Sequence, residues 1–97
     1  MPQPKHITRL AQPNIKDLDE DIQSYLKICE EKLGLMPNVL LALTIRPGKF
    51  RTFTKMYNEI MLADSGLTKL EREMIAVVVS SANRCYYCLV AHGAAVR

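Results

Sequence analysis

Thr68-Lys69-Leu70-Glu71-Arg72-Glu73-Met74-Ile75-Ala76-Val77-Val78-Val79-Ser80-Ser81-Ala82 is the stretch that decides the fold class. Its centre, Val77-Val78-Val79, argues for a strand, because β-branched side chains favour a pleated surface. Its start argues for a helix: Thr68 followed three residues later by Glu71 is a capping box, in which each side chain satisfies the other residue's backbone N–H. The length of the segment up to Ala82 supports the capping box, and a helix beginning at Thr68 is predicted. Residues 74–79 would make that helix apolar on nearly every side, so it must be covered from more than one direction. A chain of 97 residues buries only about 60–65% of the surface its unfolded form exposes. It struggles to supply that cover alone, which predicts a homo-oligomer.

C-terminal to this segment, Asn83 and Arg84 offer a break, and a last helix carrying Cys85-Tyr86-Tyr87-Cys88-Leu89-Val90-Ala91-His92 is predicted to run to Arg97. At about 100° per residue, Cys88 lies about 60° and His92 about 20° from Cys85, so two thiols and an imidazole share one helix face. A thiol reacts as thiolate, and the first turn of a helix favours the anion through its unpaired N–H groups and dipole. A second thiol three residues along can resolve a sulfenic acid into a disulfide. His92 stands one turn beyond Cys88 and can take up its proton. Glu73, the carboxylate nearest the apolar run, can orient or protonate that imidazole if the two helices pack antiparallel. Tyr86 and Tyr87 read as packing residues.

N-terminal to the deciding stretch, Pro47 opens a helix with a stripe of Phe50, Phe53, Tyr57, Ile60 and Met61, ended by Asp64-Ser65-Gly66. Arg46, Lys49, Arg51 and Lys55 near its start lack interleaved base-stacking residues and read as a solvated face, not a nucleic-acid surface. Pro37 suits the first turn of a shorter helix running to about Ile45, apolar on most sides and expected to be buried. Before it, Asp17 can cap an amphipathic helix in which Leu18, Ile22, Leu26, Cys29 and Leu33 recur at helical spacing until Gly34 stops it. Residues 1–16 contain Pro2, Pro4 and Pro13 and are expected to form an extended arm; His6 within it reads as a surface residue. The whole chain, residues 1–97, is expected to be a single all-α domain, a small helical bundle whose last two helices form a hairpin bearing the cysteine pair.

Composition agrees with an ordinary globular protein, 48% hydrophobic and 24% charged. The net charge of +3 is too mild to argue for nucleic acid. No apolar run approaches the roughly 20 residues needed to cross a bilayer. The N-terminus is not followed by the apolar core of a signal peptide, so a cytoplasmic location is expected. In that compartment a lone C-x-x-C reads as redox-active or metal-binding, and the third cysteine, Cys29, reads as a small buried hydrophobe. A closed zinc site wants four ligands, and no second pair is present. Haem attachment wants histidine directly after the second cysteine, where Leu89 stands. No metal and no cofactor is expected.

The order Glu73, eleven residues, Cys85-x-x-Cys88, three residues, His92 resembles the signature of the AhpD-like alkylhydroperoxidases of the carboxymuconolactone decarboxylase superfamily, and most closely their peroxidase-related branch. The resemblance covers roughly residues 68–96. It implies Cys88 as the peroxidatic thiol, Cys85 as the resolving thiol, and His92 and Glu73 as the proton relay. Tyr87 departs from the prototype, which has a histidine there. The chain also ends five residues after His92, where family members continue through further helices, so a fragment, a half-length protein or a short member needing partners are all open. The resemblance implies an enzyme of antioxidant defence that reduces hydroperoxides through a Cys85–Cys88 disulfide, fed by a thiol or dithiol donor. Two other classes remain: a non-catalytic helical oligomerisation module that keeps the family core, and a lactone-acting lyase like the superfamily's namesakes, against which the redox pair argues.

Overall fold

In the computed structural model, which describes residues 8–97, the regular elements are a 3-10 turn at Ile15–Asp17 and helices α1 (Glu20–Leu33), α2 (Asn38–Leu43), α3 (Pro47–Met61), α4 (Lys69–Ala82) and α5 (Tyr86–Val96). The fold is all-α, with no strand among the described residues. The valine triplet lies inside α4, where local capping and the neighbouring α5 outweigh its β preference. His6 and the first seven positions of the expected arm lie outside the described residues. The chain divides into two compact units, one up to Lys55 and one from Met56 onward, with the boundary inside α3.

The first unit is held by an apolar cluster of Ile22, Leu26, Leu40 and Phe50, ringed by Leu18, Tyr25, Cys29, Met36, Leu43 and Phe53. Tyr25 meets Phe50 edge to face at a centroid distance of 5.7 Å, a geometry that adds about 0.5–1.5 kcal/mol beyond burial. The helical spacing of α1 is thus correct, except that Leu33 in the last turn is exposed. Gly34 ends α1 at φ 75, a left-handed conformation in which its N–H reaches the Glu30 carbonyl at 2.9 Å.

Three local expectations are corrected here. Asp17 does not cap α1; it belongs to the 3-10 turn, and the capping position falls to Asp19. The Asp19 carboxylate makes no capping bond because it accepts from the Arg51 Nη2 at 2.5 Å, while Asp21 receives two further Arg51 hydrogen bonds at 2.9 Å. Arg51, on the solvated face expected of it, also ties α3 to α1, and its hydrogen bond holds the Asp21 carboxyl below its ordinary range. All three side chains are largely exposed, so the clamp is screened by solvent and salt. Pro37 sits at the N-cap of α2, not within its first turn, and of that helix Leu40 is buried while Val39 is half exposed. The α3 stripe is buried at Phe50 and Met61, but Tyr57 and Ile60 are exposed, because they lie beyond the first unit's core.

In the second unit the capping box is complete: Thr68 Oγ1 accepts from the Glu71 N–H at 3.1 Å, and Glu71 Oε1 accepts from the Thr68 N–H at 2.9 Å. The Arg72 guanidinium donates to the Leu67 carbonyl and stiffens the approach to α4. Helices α4 and α5 form a hairpin. The buried residues of α4 are Glu73 and Ser80, seven positions apart on one face, with Ala76 and Val77 half-buried between them. Met74, Ile75, Val78 and Val79 face outward, each more than half exposed.

Candidate active site

The site is built by the turn between α4 and α5. The Cys85 N–H donates to the Ser80 carbonyl at 3.0 Å and the Arg84 N–H to the Ser81 carbonyl at 3.1 Å. This nested pair is the Schellman arrangement that closes a helix C-terminus. It requires a left-handed residue before Cys85, and Arg84 takes that role at φ 54, among the described residues the one non-glycine with positive φ. Glycine is favoured there because a Cβ costs roughly 1–2 kcal/mol in this region.

The same turn delivers Cys85 directly to the N-cap of α5, where its sulfur accepts from the Cys88 N–H at 3.3 Å. Cys85 and Cys88 are joined as a disulfide with Cα atoms 5.2 Å apart. Cys85 thus lies just before α5 and not in its first turn, and Cys88 is its third residue. One turn further on, His92 Nδ1 lies 2.6 Å from Glu73 Oε2. A carboxylate only accepts, so Nδ1 carries the proton in this pair and Nε2 is left as the basic nitrogen. Glu73 is 10% exposed and His92 21%, so the contact is made largely out of water.

The four residues singled out from the sequence therefore come together on one hairpin: a cysteine pair at the α5 N-terminus and a His–carboxylate couple one turn beyond it. Cys29 is a free thiol in the first unit, where burial pushes its pKa up and Lys32 pulls the other way. Tyr86 and Tyr87 are exposed, not packed, because α5 presents its first turn outward. Sequence reasoning placed the break at Asn83 and Arg84 but did not assign Arg84 its left-handed role, for which glycine or asparagine is the usual sign; Ser80 acts through its backbone carbonyl, which leaves no signal in the residue type. Among the described residues no group of three or more His, Cys, Asp or Glu is arranged to hold a metal ion, and no helix is long and apolar enough to cross a membrane. A groove in the first unit, lined by Pro13, Ile15, Leu41 and Thr44 among others, includes none of the residues above.

Residues 47–97, over half of the chain and all of this site, match the carboxymuconolactone decarboxylase family. The chain belongs to that family. Two solved structures within reach of it are similar throughout. One is an uncharacterized peroxidase-related protein from Silicibacter sp. TM1040, 57% identical, with a TM-score of 0.81 over 99% of this chain and 50% of the other. The second, from Ralstonia eutropha JMP134, is described as an alkylhydroperoxidase AhpD core and an uncharacterized peroxidase-related protein; it is 45% identical, with a TM-score of 0.82 over 96% of this chain and 49% of the other. The chain spans about half the length of these two relatives. No curated protein matches it significantly.

Proposed function

We propose that the protein is a thiol-dependent peroxidase that reduces hydroperoxides through the Cys85–Cys88 pair. The observation that carries this reading is the Cys85–Cys88 disulfide on the same hairpin as the Glu73–His92 couple. In the reduced protein, His92 Nε2 takes the Cys88 proton while Glu73 balances the charge that develops on the ring. The Cys88 thiolate attacks the terminal peroxide oxygen, the O–O bond breaks, and an alcohol leaves with the proton held by His92. Cys85 then attacks the Cys88 sulfenic acid, expelling water and forming the disulfide. A thiol or dithiol donor restores the pair. The descriptions of the two relatives as peroxidase-related support the same class of chemistry, and the redox pair argues against a lactone lyase.

The hairpin's outer surface supports a homo-oligomer. Met74, Ile75, Val78 and Val79 are each more than half exposed on α4, so a second copy is the natural cover for them. This couples the assembly reading to the catalytic one, since α4 presents Glu73 on its inner face. A cytoplasmic setting, where reduced thiol donors are abundant, completes the proposal.

The test is thiol counting. One equivalent of an alkyl hydroperoxide added to the reduced protein should consume two thiols per chain and leave Cys29 free, with the disulfide mapped to Cys85–Cys88. Loss of the Cys29 thiol as the main event, or reaction no faster than free cysteine, overturns the peroxidase reading and leaves the assembly module. Light scattering at micromolar concentration tests the oligomer, which a well-folded monomer contradicts.

A further inference from the structure

The two sulfurs of the pair occupy different electrostatic positions, and the difference assigns them different roles during reduction. Cys85 Sγ is the cap of α5, receiving the Cys88 N–H at 3.3 Å. Its own backbone is fixed on the other side by the 3.0 Å bond to the Ser80 carbonyl, and the left-handed Arg84 holds that turn closed. Negative charge on Cys85 is therefore met by a donor already aimed at it, at the positive end of a helix. Cys88 caps nothing; it is the donor of that bond. One turn along from it stands His92, held by Glu73, to which the proposed mechanism passes the Cys88 proton. Across residues 74–96 the one Asp, Glu, Lys or Arg side chain is Arg84, next to Cys85; the Asp and Glu side chains of the hairpin, Glu71 and Glu73, both lie in the first two turns of α4.

We propose that Cys85 is the leaving thiolate when the disulfide is reduced, so that the electron donor becomes bound to Cys88. The inference rests on the peroxidase reading for its place in a cycle, but the exchange step itself needs no peroxide. The donor is a dithiol. Its first thiolate attacks Cys88 Sγ; a donor–Cys88 disulfide forms, the Cys85–Cys88 bond breaks, and its electron pair stays on Cys85 Sγ under the Cys88 N–H. The donor's second thiolate then attacks the donor sulfur of the mixed disulfide, the donor leaves as its own disulfide, and Cys88 is released as a thiolate; the two protons shed by the donor's thiols balance the charge left on Cys85 and Cys88. Two electrons pass from donor to pair. A stabilised thiolate leaves faster and attacks more weakly, so the cap that suits Cys85 for leaving also leaves peroxide attack to Cys88.

Two measurements test this. In the first, the oxidised full chain is treated with glutathione, quenched within seconds by N-ethylmaleimide, and mapped. Glutathione on Cys88 with maleimide on Cys85, in at least about tenfold excess over the reverse, is expected; the reverse adduct overturns the proposal. In the second, thiolate absorbance is followed against pH in Cys88→Ser and Cys85→Ser, each with and without Glu73→Gln, helicity being checked in parallel. Replacement of the Cys88 side chain keeps its backbone N–H, so Cys85 in Cys88→Ser should hold about a tenfold larger thiolate fraction at neutral pH than a free cysteine, unmoved by Glu73→Gln. The Cys88 thiol in Cys85→Ser should respond to Glu73→Gln. Cys85 titrating like free cysteine, or moving with Glu73→Gln, overturns the assignment. If the protein consumes no peroxide but glutathione still maps to Cys88, the peroxidase reading fails while the exchange polarity stands.

Discussion

Replacing Glu73 by Gln bears most directly on the relay, because it keeps the shape of the side chain and removes its charge. The Glu73–His92 contact spans 2.6 Å between side chains 10% and 21% exposed, and a hydrogen bond to an ionised group contributes about 1.5–3 kcal/mol. That energy counts fully at the moment His92 holds the Cys88 proton, when a neutral amide no longer balances the ring. At about 1.4 kcal/mol per decade, the loss corresponds to a roughly 10- to 150-fold slower reaction of Cys88 with hydroperoxide. This reaches only the lower bound of the 10²–10⁴-fold range of general acid–base catalysis, as suits a group that orients the base and is not the base itself. Stability should follow a different order. Glu73→Gln should change it little, since the amide loses the ion's desolvation cost together with its stronger bond. Glu73→Ala leaves the Nδ1 proton without its acceptor and should cost about 1–3 kcal/mol. His92→Ala strands a buried carboxylate and should cost about 3 kcal/mol or more. Stopped-flow peroxide consumption and urea unfolding read the two series. A Glu73→Gln protein with native helicity and an unchanged rate refutes the relay, and a His92→Ala variant less damaging than Glu73→Ala refutes the energetic reading of the pair.

Thr68→Ala should destabilise the protein by about 1 kcal/mol through loss of the α4 cap, measured by urea midpoint. The Thr68 backbone N–H holds the Glu71 carboxyl below its ordinary value, so the folded state binds that proton less readily than the unfolded one. The stabilisation is therefore present above the unfolded glutamate pKa, about 4.3, and is lost as pH falls through the lowered folded value; Glu71→Gln should flatten the stability profile in that acidic window. Arg84→Gly should raise stability by about 0.5–1 kcal/mol, since relief of the left-handed strain exceeds the added entropy of the unfolded glycine; a lower thermal midpoint contradicts this. Burial raises the pKa of the Cys29 thiol, so iodoacetamide at neutral pH should label it several-fold more slowly than a model thiol peptide and at full rate only after unfolding.

The helices were legible from the sequence because their signals are local. Thr68 and Glu71 specify a reciprocal bond that needs no tertiary partner, and Gly34 supplies the left-handed residue where α1 ends. The placement of Glu73, Cys85, Cys88 and His92 on one hairpin was legible because it is constrained by helix periodicity and a short turn. What the sequence concealed depends on long-range competition. Asp17 and Asp19 are both competent caps for α1, and the outcome follows from Arg51, more than thirty positions away, drawing the Asp19 carboxylate to itself. Arg84 was concealed for the opposite reason, because its backbone violates the local preference on which reading depends, and strain of this kind persists where surrounding bonds over-determine it.

Helix α4 also explains why its own sequence reads so ambiguously. A helix in a folded chain normally buries its apolar side chains and exposes its charges. Here the inner face buries Glu73, which meets His92, and Ser80, whose backbone carbonyl anchors Cys85, while Met74, Ile75, Val78 and Val79 remain outside. Burying an ionisable group is unfavourable unless it is paired, and the pair exists only while α5 lies against α4. The Glu73–His92 contact, to which the proposed mechanism assigns the activation of Cys88, is thus also a contact that orders the hairpin. Covering the outer face from a second copy would hold α4 in place from behind and fix the Glu73–His92 distance without adding a residue to the site. Dilution below the dissociation constant of that assembly should therefore weaken the relay before it unfolds the helices, and the loss of peroxide turnover should track light scattering and not helicity.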